Sequence, residues 1–189
     1  MTQPRTLAVL IAICLSQSAQ LHAETLAEGI GSAIKWGSAS VSERYRYEYV
    51  DQEGLAEVAN ASTLKSRFTW TSGTVAGFKG LLEVDNVTSI GNDSYNSTVN
   101  GKKSYPIVAD PEATVLNQAA LAYTAEKWNG MLGRQRIKHG TERFVGSVAW
   151  RQLEQTFDAA HLVYAPSTSF NLDYAYSWRI NTVFGPDNP

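Results

Sequence analysis

Tyrosine and charged residues alternate along residues 42–50, in the order Ser-Glu-Arg-Tyr-Arg-Tyr-Glu-Tyr-Val. Side chains of a β-strand point alternately to opposite faces, so the tyrosines share one face and the two arginines share the other with Glu48. The same two-sided pattern returns in segments of about ten residues, with aromatic residues near the ends of the apolar side. This pattern is typical of a transmembrane β-barrel, with lipid outside and water and charge inside.

The first 23 residues have the layout of a secretory signal peptide. A short basic start is followed by an apolar run over residues 6–15 and a polar stretch that ends at Ala23. The run is too short to span a bilayer, and cleavage is predicted after Ala23. The only cysteine, Cys14, lies inside the run and follows Ile13, which is larger than the residue a lipidation site requires. The exported chain is therefore predicted to build no disulfide.

Composition excludes several other classes of protein. Hydrophobic residues make up 43% of the chain and charged residues 18%, which excludes a disordered chain. No segment after the signal has the eighteen or so consecutive apolar residues of a transmembrane helix. The formal net charge is only −2, so any preference for charged solutes must come from where the charges lie.

Alternation and turn signals predict seven strands, at about residues 38–50, 62–71, 75–87, 115–124, 132–138, 156–164 and 170–180. A tight turn at Ser72-Gly73 joins the second strand to the third as a hairpin. A turn at residues 128–130 precedes the fifth strand. Residues 91–112 form a long polar connection, which is predicted to be extracellular because the long loops of outer-membrane barrels face outward. In the sixth strand, the faces of Phe157 and Asp158 stay undecided.

Seven strands are an odd number, whereas bacterial single-chain barrels have even numbers from about eight upward. The chain also does not end in a strand with a terminal aromatic residue. Since unpaired strand edges are not tolerated in lipid, residues 38–189 are predicted to be the amino-terminal portion of a larger barrel, after a leader at residues 24–37. Its predicted partners are outer-membrane lipid and the missing carboxyl-terminal strands, and its predicted location is the outer membrane of a Gram-negative bacterium.

Cations dominate the predicted inner face, where few carboxylates oppose them. The cations are Arg44, Arg46, Lys65, Arg67, Lys79, Arg134, Arg136, Lys138 and Arg179, and the carboxylates are Glu48, Glu83, Asp85 and Asp173. Cations in a narrow, low-dielectric passage concentrate anions, and a guanidinium pairs with a carboxylate in two-point contacts. These residues are the predicted pore lining, and the predicted solute is an anionic small molecule or oligosaccharide. A charged ladder that only holds the barrel round is the alternative for each of them.

Residues 140–155 break the alternation. Non-helical backbone at membrane depth persists only where protein or lumen water forms hydrogen bonds with its N–H and C=O groups. The segment therefore either folds inward as a constriction or forms an exposed loop. Arg151 lies in this segment and is the candidate for a constricting pore residue.

Three groups of residues carry a family resemblance. They are residues 44–51 (Arg-Tyr-Arg-Tyr-Glu-Tyr-Val-Asp), residues 133–137 (Gly-Arg-Gln-Arg-Ile), and Arg143-Phe144-Val145-Gly146 with Trp150-Arg151-Gln152 and residues 155–159 (Gln-Thr-Phe-Asp-Ala). Over residues 38–184 the chain resembles the alginate-export-type outer-membrane porins of Gram-negative bacteria. The resemblance implies a closed antiparallel barrel of up to about eighteen strands with an arginine-rich lumen that passes acidic solutes. At residues 138–142 the chain departs from the polar segment with aspartate and asparagine that the family has.

An enzyme is not predicted. His139 and His161, the two histidines after the signal, have no Ser-His-Asp or metal-ligand spacing, and the chain has no phosphate loop and no zinc pattern. No catalytic residue, cofactor, metal or nucleic-acid partner is therefore predicted.

The alternative class is a soluble periplasmic carbohydrate-binding β-sandwich. It places Phe68, Trp70, Leu82 and Tyr174 in a core and the arginines in water, and it predicts solubility without detergent. In the barrel, by contrast, Trp70, Tyr123 and Trp128 are predicted anchors of the interfacial aromatic belt.

Overall fold

The computed structural model describes residues 27–188 of the chain, so the predicted signal peptide lies outside the described residues. A short helix at residues 27–35, α1, precedes seven strands. The strands are β1 (Ser38–Val50), β2 (Ala59–Thr71), β3 (Phe78–Ser94), β4 (Ala113–Thr124), β5 (Trp128–Gln135), β6 (Thr156–Ser167) and β7 (Phe170–Asn181). No helix within residues 27–188 is long and apolar enough to cross a bilayer.

The seven strands form one open antiparallel sheet in the order β1-β2-β3-β4-β5-β6-β7. Each strand therefore pairs only with its neighbours in the sequence. β1 and β7 are the edge strands, and neither pairs with a further strand within residues 27–188. The all-β prediction is confirmed at the level of this open sheet.

The predicted strands agree with the structure except at some ends. β1 has the predicted bounds, whereas β2 begins earlier and β3 runs on to Ser94. The predicted turn at residues 128–130 is wrong, because the chain reverses at residues 125–127, where the backbone groups of Ala125 and Trp128 exchange hydrogen bonds of 2.9 and 3.3 Å. β5 ends at Gln135, so Arg136 and Lys138, predicted to lie in this strand, lie in the loop that follows.

The connection between β2 and β3 is longer than the predicted turn at Ser72-Gly73. It occupies residues 72–77 and reverses where Val75 and Phe78 exchange backbone hydrogen bonds of 3.0 and 2.9 Å. Gly77 has a φ of +84°, and a Cβ there would lie 2.7 Å from the carbonyl oxygen of Thr124. Only glycine fits this left-handed position so close to the next hairpin.

The connections at the two ends of the sheet differ in length. At one end, the short-turn end, they comprise residues 72–77, 125–127 and 168–169. At the other, the long-loop end, they comprise residues 51–58, 95–112 and 136–155. The predicted long polar connection is confirmed as the loop at residues 95–112, called the β3–β4 loop below.

The two faces of the sheet differ as the alternation predicted. In β1 the three tyrosines are 53–59% exposed, whereas the arginines and Glu48 are half-buried. Residues opposite each other in the register share a face, so the charged residues of β2 and β3 lie on the same face as those of β1. This charged face carries Arg44, Arg46, Glu48, Lys65, Arg67, Glu83 and Asp85, and the opposite face is called the apolar face.

A β-bulge in β4 changes the face of its first residues. Asn117 is the extra residue between the pairs Glu83–Gln118 and Val84–Leu116. Upstream of it Val115 lies opposite Asp85 on the charged face, and Leu116 is 41% exposed on the apolar face. Strict alternation back from Ala119, Leu121 and Tyr123 predicts Val115 on the apolar face. This prediction is wrong, because one extra residue inverts a period-two pattern.

Buried hydrophobic residues form two clusters at the longest loops. One cluster joins Ala59 and Ala61 of β2 to Tyr95 and Val108 of the β3–β4 loop. The other comprises Ile137, Phe157 and Ala159, with Val145 and Ala175 packed against it. The alternation left the face of Phe157 undecided. In the structure this side chain is 6% exposed and packs against Ile137 and Val145 of the loop that follows β5.

Large side chains of the apolar face stay exposed. Phe68, Leu82 and Tyr174 are 41%, 36% and 60% exposed, and Trp70 is half-buried. These four residues were the core expected of a β-sandwich, and within the described residues they do not form one.

Candidate functional site

Residues 136–155, called the inner loop, leave β5 and cross the charged face as far as β1. The guanidinium of Arg44 donates hydrogen bonds to the carbonyl oxygens of Ala149, at 2.9 Å, and Arg151, and to Oε1 of Gln152 at 3.0 Å. Nε2 of Gln152 donates to the carbonyl and hydroxyl oxygens of Thr63 at 3.1 and 2.9 Å. These contacts place the segment across the charged face of the sheet.

A left-handed residue precedes the part of the inner loop that Arg44 holds. Val148 has a φ of +51°, which for a β-branched residue costs about 1–2 kcal/mol. Such a conformation persists only where its surroundings fix it. The hydrogen bonds of Arg44 and Gln152 supply that constraint immediately downstream.

Glu154 of the inner loop lies at the centre of a buried group of charges. Its carboxylate forms ion pairs with Arg136, with Arg67 at 3.1 Å, and with Lys65 at 3.9 Å. Asn117 of the β4 bulge adds a hydrogen bond to Glu154 at 3.2 Å. The bulge therefore brings an amide donor from β4 to a carboxylate that also pairs with β2 and with the start of the inner loop.

Two strand carboxylates complete this group. Arg67 makes a two-point contact with Asp85, with both N···O distances at 2.7 Å. Arg136 forms an ion pair with Glu83, which also accepts a hydrogen bond of 2.6 Å from Asn117. The Glu154 cluster thus holds three cations and three carboxylates: Lys65, Arg67, Arg136, Glu83, Asp85 and Glu154.

Burial acts to raise the pKa of Glu154, but the positive charges of Arg136 and Arg67 outweigh it and hold that pKa below the ordinary 4.5. A lowered carboxyl pKa in the folded state means that ionised Glu154 stabilises the fold. This stabilisation is complete above the ordinary value and is lost as the pH falls through the folded-state pKa.

We expect the inner loop to loosen in acid through Glu154. Amide hydrogen exchange of residues 147–155, corrected for intrinsic rates, should show falling protection between about pH 5 and pH 3 in the parent chain. Glu154→Gln should show lower protection with a weaker dependence on pH. The same pH dependence in both chains would contradict this role of Glu154.

A second group of charges lies where the inner loop reaches β1. Arg46 forms ion pairs with Glu48 and, at 3.3 Å, with Asp110 of the β3–β4 loop. Arg151 contacts Glu48 at 3.3 Å. Oδ1 of Asp110 also accepts the backbone N–H of Gln152 at 2.9 Å, which ties the two loops together.

Trp150 is the exposed side chain of this second group. It is 61% exposed, and the guanidinium carbons of Arg151 and Arg46 lie 4.2 and 5.4 Å from its ring centroid. Within the described residues, the ion pairs of the group involve two carboxylates, whereas three guanidiniums meet there. The region around Trp150 therefore keeps a net positive charge.

The remaining predicted pore residues lie apart from these two groups. Arg134 of β5 makes a two-point contact with Asp158, at 2.7 and 3.1 Å. Arg179 lies opposite Asp158 in the register and lines a cavity of about 380 Å³ together with Arg134 and Glu154. Lys79 is exposed near the short-turn end.

Sequence reasoning missed the polar residues that the loops bring to the charged face. Asp110 and Gln152 have no exposed surface, and Glu154 is 8% exposed. All three lie outside the alternating strands, so no periodicity marks them. Because Asp110 and Glu154 pair with the predicted cations, the excess of positive charge is smaller than the strands alone indicate.

Two histidines and Asp173 attach the start of the inner loop to β6 and β7. Nε2 of His161 lies 2.6 Å from Oδ1 of Asp173, and Nδ1 of His139 lies 3.5 Å from Oδ2. The two rings are nearly perpendicular, with centroids 6.2 Å apart. Within residues 27–188, no group of three or more histidine, cysteine or acidic side chains is placed to hold a metal ion.

No protein-family model matches this chain, and comparisons with curated proteins and with solved structures found no match. The assignment of function therefore rests on the two faces of the sheet and on the inner loop.

Proposed function

We propose that this chain forms part of an outer-membrane β-barrel channel that passes anionic solutes, such as acidic sugars or organic acids. The observation that carries the proposal is the two-sided sheet, which is charged where the loops cross it and apolar where it is left exposed. In a barrel the first face lines a water-filled lumen and the second meets lipid.

The apolar face supports a membrane environment. Its large side chains are exposed along the sheet, at Val41, Tyr45, Phe68, Leu116, Leu121, Leu132, Leu162, Leu172, Tyr174 and Trp178. Exposed apolar surface of this extent marks an interface with lipid or protein. Near the short-turn end, aromatic residues of neighbouring strands also pair, with ring centroids 4.7 Å apart for Phe78 and Tyr123 and 4.1 Å for Trp128 and Tyr164. Such aromatic residues are typical of the belt at a membrane surface.

The edges and connections of the sheet fit the same proposal. In lipid the free backbone groups of β1 and β7 need partners, so we infer that further strands continue the antiparallel order and close the barrel. The short connections lie at one end of the sheet and the long loops at the other, as in outer-membrane barrels. In the proposed channel the short-turn end faces the periplasm and the long-loop end faces outward.

We expect the completed channel to prefer anions, because the region around Trp150 has an excess of guanidinium groups in a passage of low dielectric. The reversal potential of planar bilayers under a salt gradient measures this preference. Arg46→Gln should weaken it by removing one of the cations beside Trp150. Lys103→Gln removes the same charge from an exposed position in the β3–β4 loop and should leave the preference unchanged. A cation-selective parent channel would disprove the proposed solute class.

We expect Arg151→Ala to raise the single-channel conductance and to weaken block by acidic oligosaccharides. The substitution removes bulk and a fixed charge from the loop that crosses the charged face. Arg143→Ala, at an exposed position of the same loop, is the matched control and should change neither quantity. If Arg151→Ala also leaves conductance and block unchanged, Arg151 does not line the pore.

A further inference from the structure

Helix α1 is fixed to the short-turn end of the sheet at close range. The backbone N–H of Gly73 donates to the carbonyl oxygen of Ala33 at 2.7 Å. A Cβ at Gly73 would lie 2.9 Å from Cβ of Trp36, and one at Gly37 would lie 2.9 Å from the carbonyl oxygen of Thr71. Contacts this short exclude larger residues, so two glycines allow α1 to pack against the β2–β3 connection.

A groove of about 560 Å³ lies between α1 and this rim of the sheet. Its walls are mainly apolar, with Ile30 and Ala33 on the helix side and Val75, Phe78 and Leu121 on the sheet side. Phe78 and Leu121 lie opposite Tyr123 and Leu132, which are exposed on the apolar face. The groove is therefore continuous with the face that the proposed function assigns to lipid.

The exposed residues of α1 and of the segment after it are those of a membrane surface. Ile30, Ile34 and Trp36 are 60%, 61% and 73% exposed. The ammonium group of Lys35 lies 5.4 Å from the ring centroid of Trp36. Helices that lie in the plane of a membrane combine apolar residues and tryptophan with lysine in this way.

We propose that this groove binds an acyl chain of one phospholipid. The inference rests on the proposed function, because it needs the short-turn end to lie at a bilayer surface. Two observations select a phospholipid over a protein segment. The groove opens onto the apolar face, and α1, which forms one of its walls, presents exposed Ile30 and Ile34 and is followed by exposed Trp36, as at a membrane surface.

Photolabelling of the full chain in phospholipid vesicles tests the proposal. The vesicles contain phosphatidylcholine and phosphatidylglycerol, with a trace of phospholipid that carries a photoactivatable group on its acyl chain, and labelled residues are identified by peptide mass spectrometry. We expect labelling at residues 30–33 and at Val75, and we expect it to saturate and to be displaced by unlabelled phospholipid.

Gly80→Leu should reduce labelling of residues 30–33 severalfold. Gly80 lines the groove, and the nearest atom to a Cβ at this position is Oγ of Ser72 at 3.6 Å, an ordinary contact distance. A leucine at position 80 is therefore accommodated and fills part of the groove. Gly31→Leu makes the same change on α1 where no atom lies within 4 Å of the new Cβ, and it should leave labelling intact.

Two results would overturn the lipid site. One is labelling of apolar-face residues such as Leu132 and Tyr174 without labelling of residues 30–33, which leaves the membrane assignment intact. The other is labelling of residues 30–33 that Gly80→Leu does not reduce. Absence of labelling at every position would instead contradict the proposed membrane function together with the lipid site.

Discussion

Glu154→Gln is expected to lower the free energy of unfolding by about 3–5 kcal/mol, the usual cost of removing one partner from a buried ion pair. Glu154 serves three cations at once, and its side chain is only 6% exposed. Glutamine keeps the shape but leaves Lys65, Arg67 and Arg136 with two carboxylates instead of three. Denaturant unfolding of the chain in detergent, followed by tryptophan fluorescence, measures the loss.

Two further variants separate charge balance from other effects of this substitution. Glu126→Gln changes an exposed acid in the β4–β5 connection, which forms no ion pair within residues 27–188, and it should cost less than about 0.5 kcal/mol. Adding Arg136→Gln to Glu154→Gln restores equal numbers of cations and carboxylates and should recover part of the stability. A loss below about 1 kcal/mol for Glu154→Gln would show that the cluster does not stabilise the fold.

Arg44→Ala is expected to release the inner loop while the sheet stays folded. The substitution removes hydrogen bonds from a charged donor to Ala149, Arg151 and Gln152, which are worth about 1.5–3 kcal/mol each. A net loss of about 2.7 kcal/mol corresponds to about a hundredfold faster amide exchange in residues 148–152. Single-channel conductance should rise in parallel, because the loop no longer stays at β1.

Arg44→Lys is the conservative control, since it keeps the charge but loses the planar guanidinium that reaches several acceptors at once. It should give intermediate exchange rates. Equal acceleration in the amides of β2 and β3 would mean that Arg44 stabilises the sheet as a whole. Unchanged exchange in residues 148–152 would show that Arg44 does not hold the loop.

The strands and their two faces were predictable because both follow from one local rule. Tyr45, Tyr47 and Tyr49 are large enough and regular enough to fix the face of β1 without knowledge of its neighbours. The same rule failed at Val115, where the bulge at Asn117 inverts the alternation. A bulge is fixed by hydrogen bonding to the neighbouring strand, so the sequence of β4 alone does not reveal it.

The charged clusters were only partly predictable, for a different reason. Arg44, Arg67 and their strand neighbours follow from alternation, whereas Asp110 and Glu154 reach the charged face through the paths of two loops. Those paths depend on contacts between residues far apart in the sequence, such as Arg44 with Gln152, which no local pattern encodes. Positive charge was therefore easier to predict than the carboxylates that neutralise it.

The neighbour-only order of the strands leads us to expect a definite order of events in folding. Each strand meets its partner after a short connection or one loop, so the loss of chain entropy on pairing is small. Arg44 and Gln152, by contrast, are separated by 108 positions and come together only after the intervening strands have paired. We therefore expect the sheet to form first, so that for an interval its arginines and carboxylates face water before the inner loop docks across them.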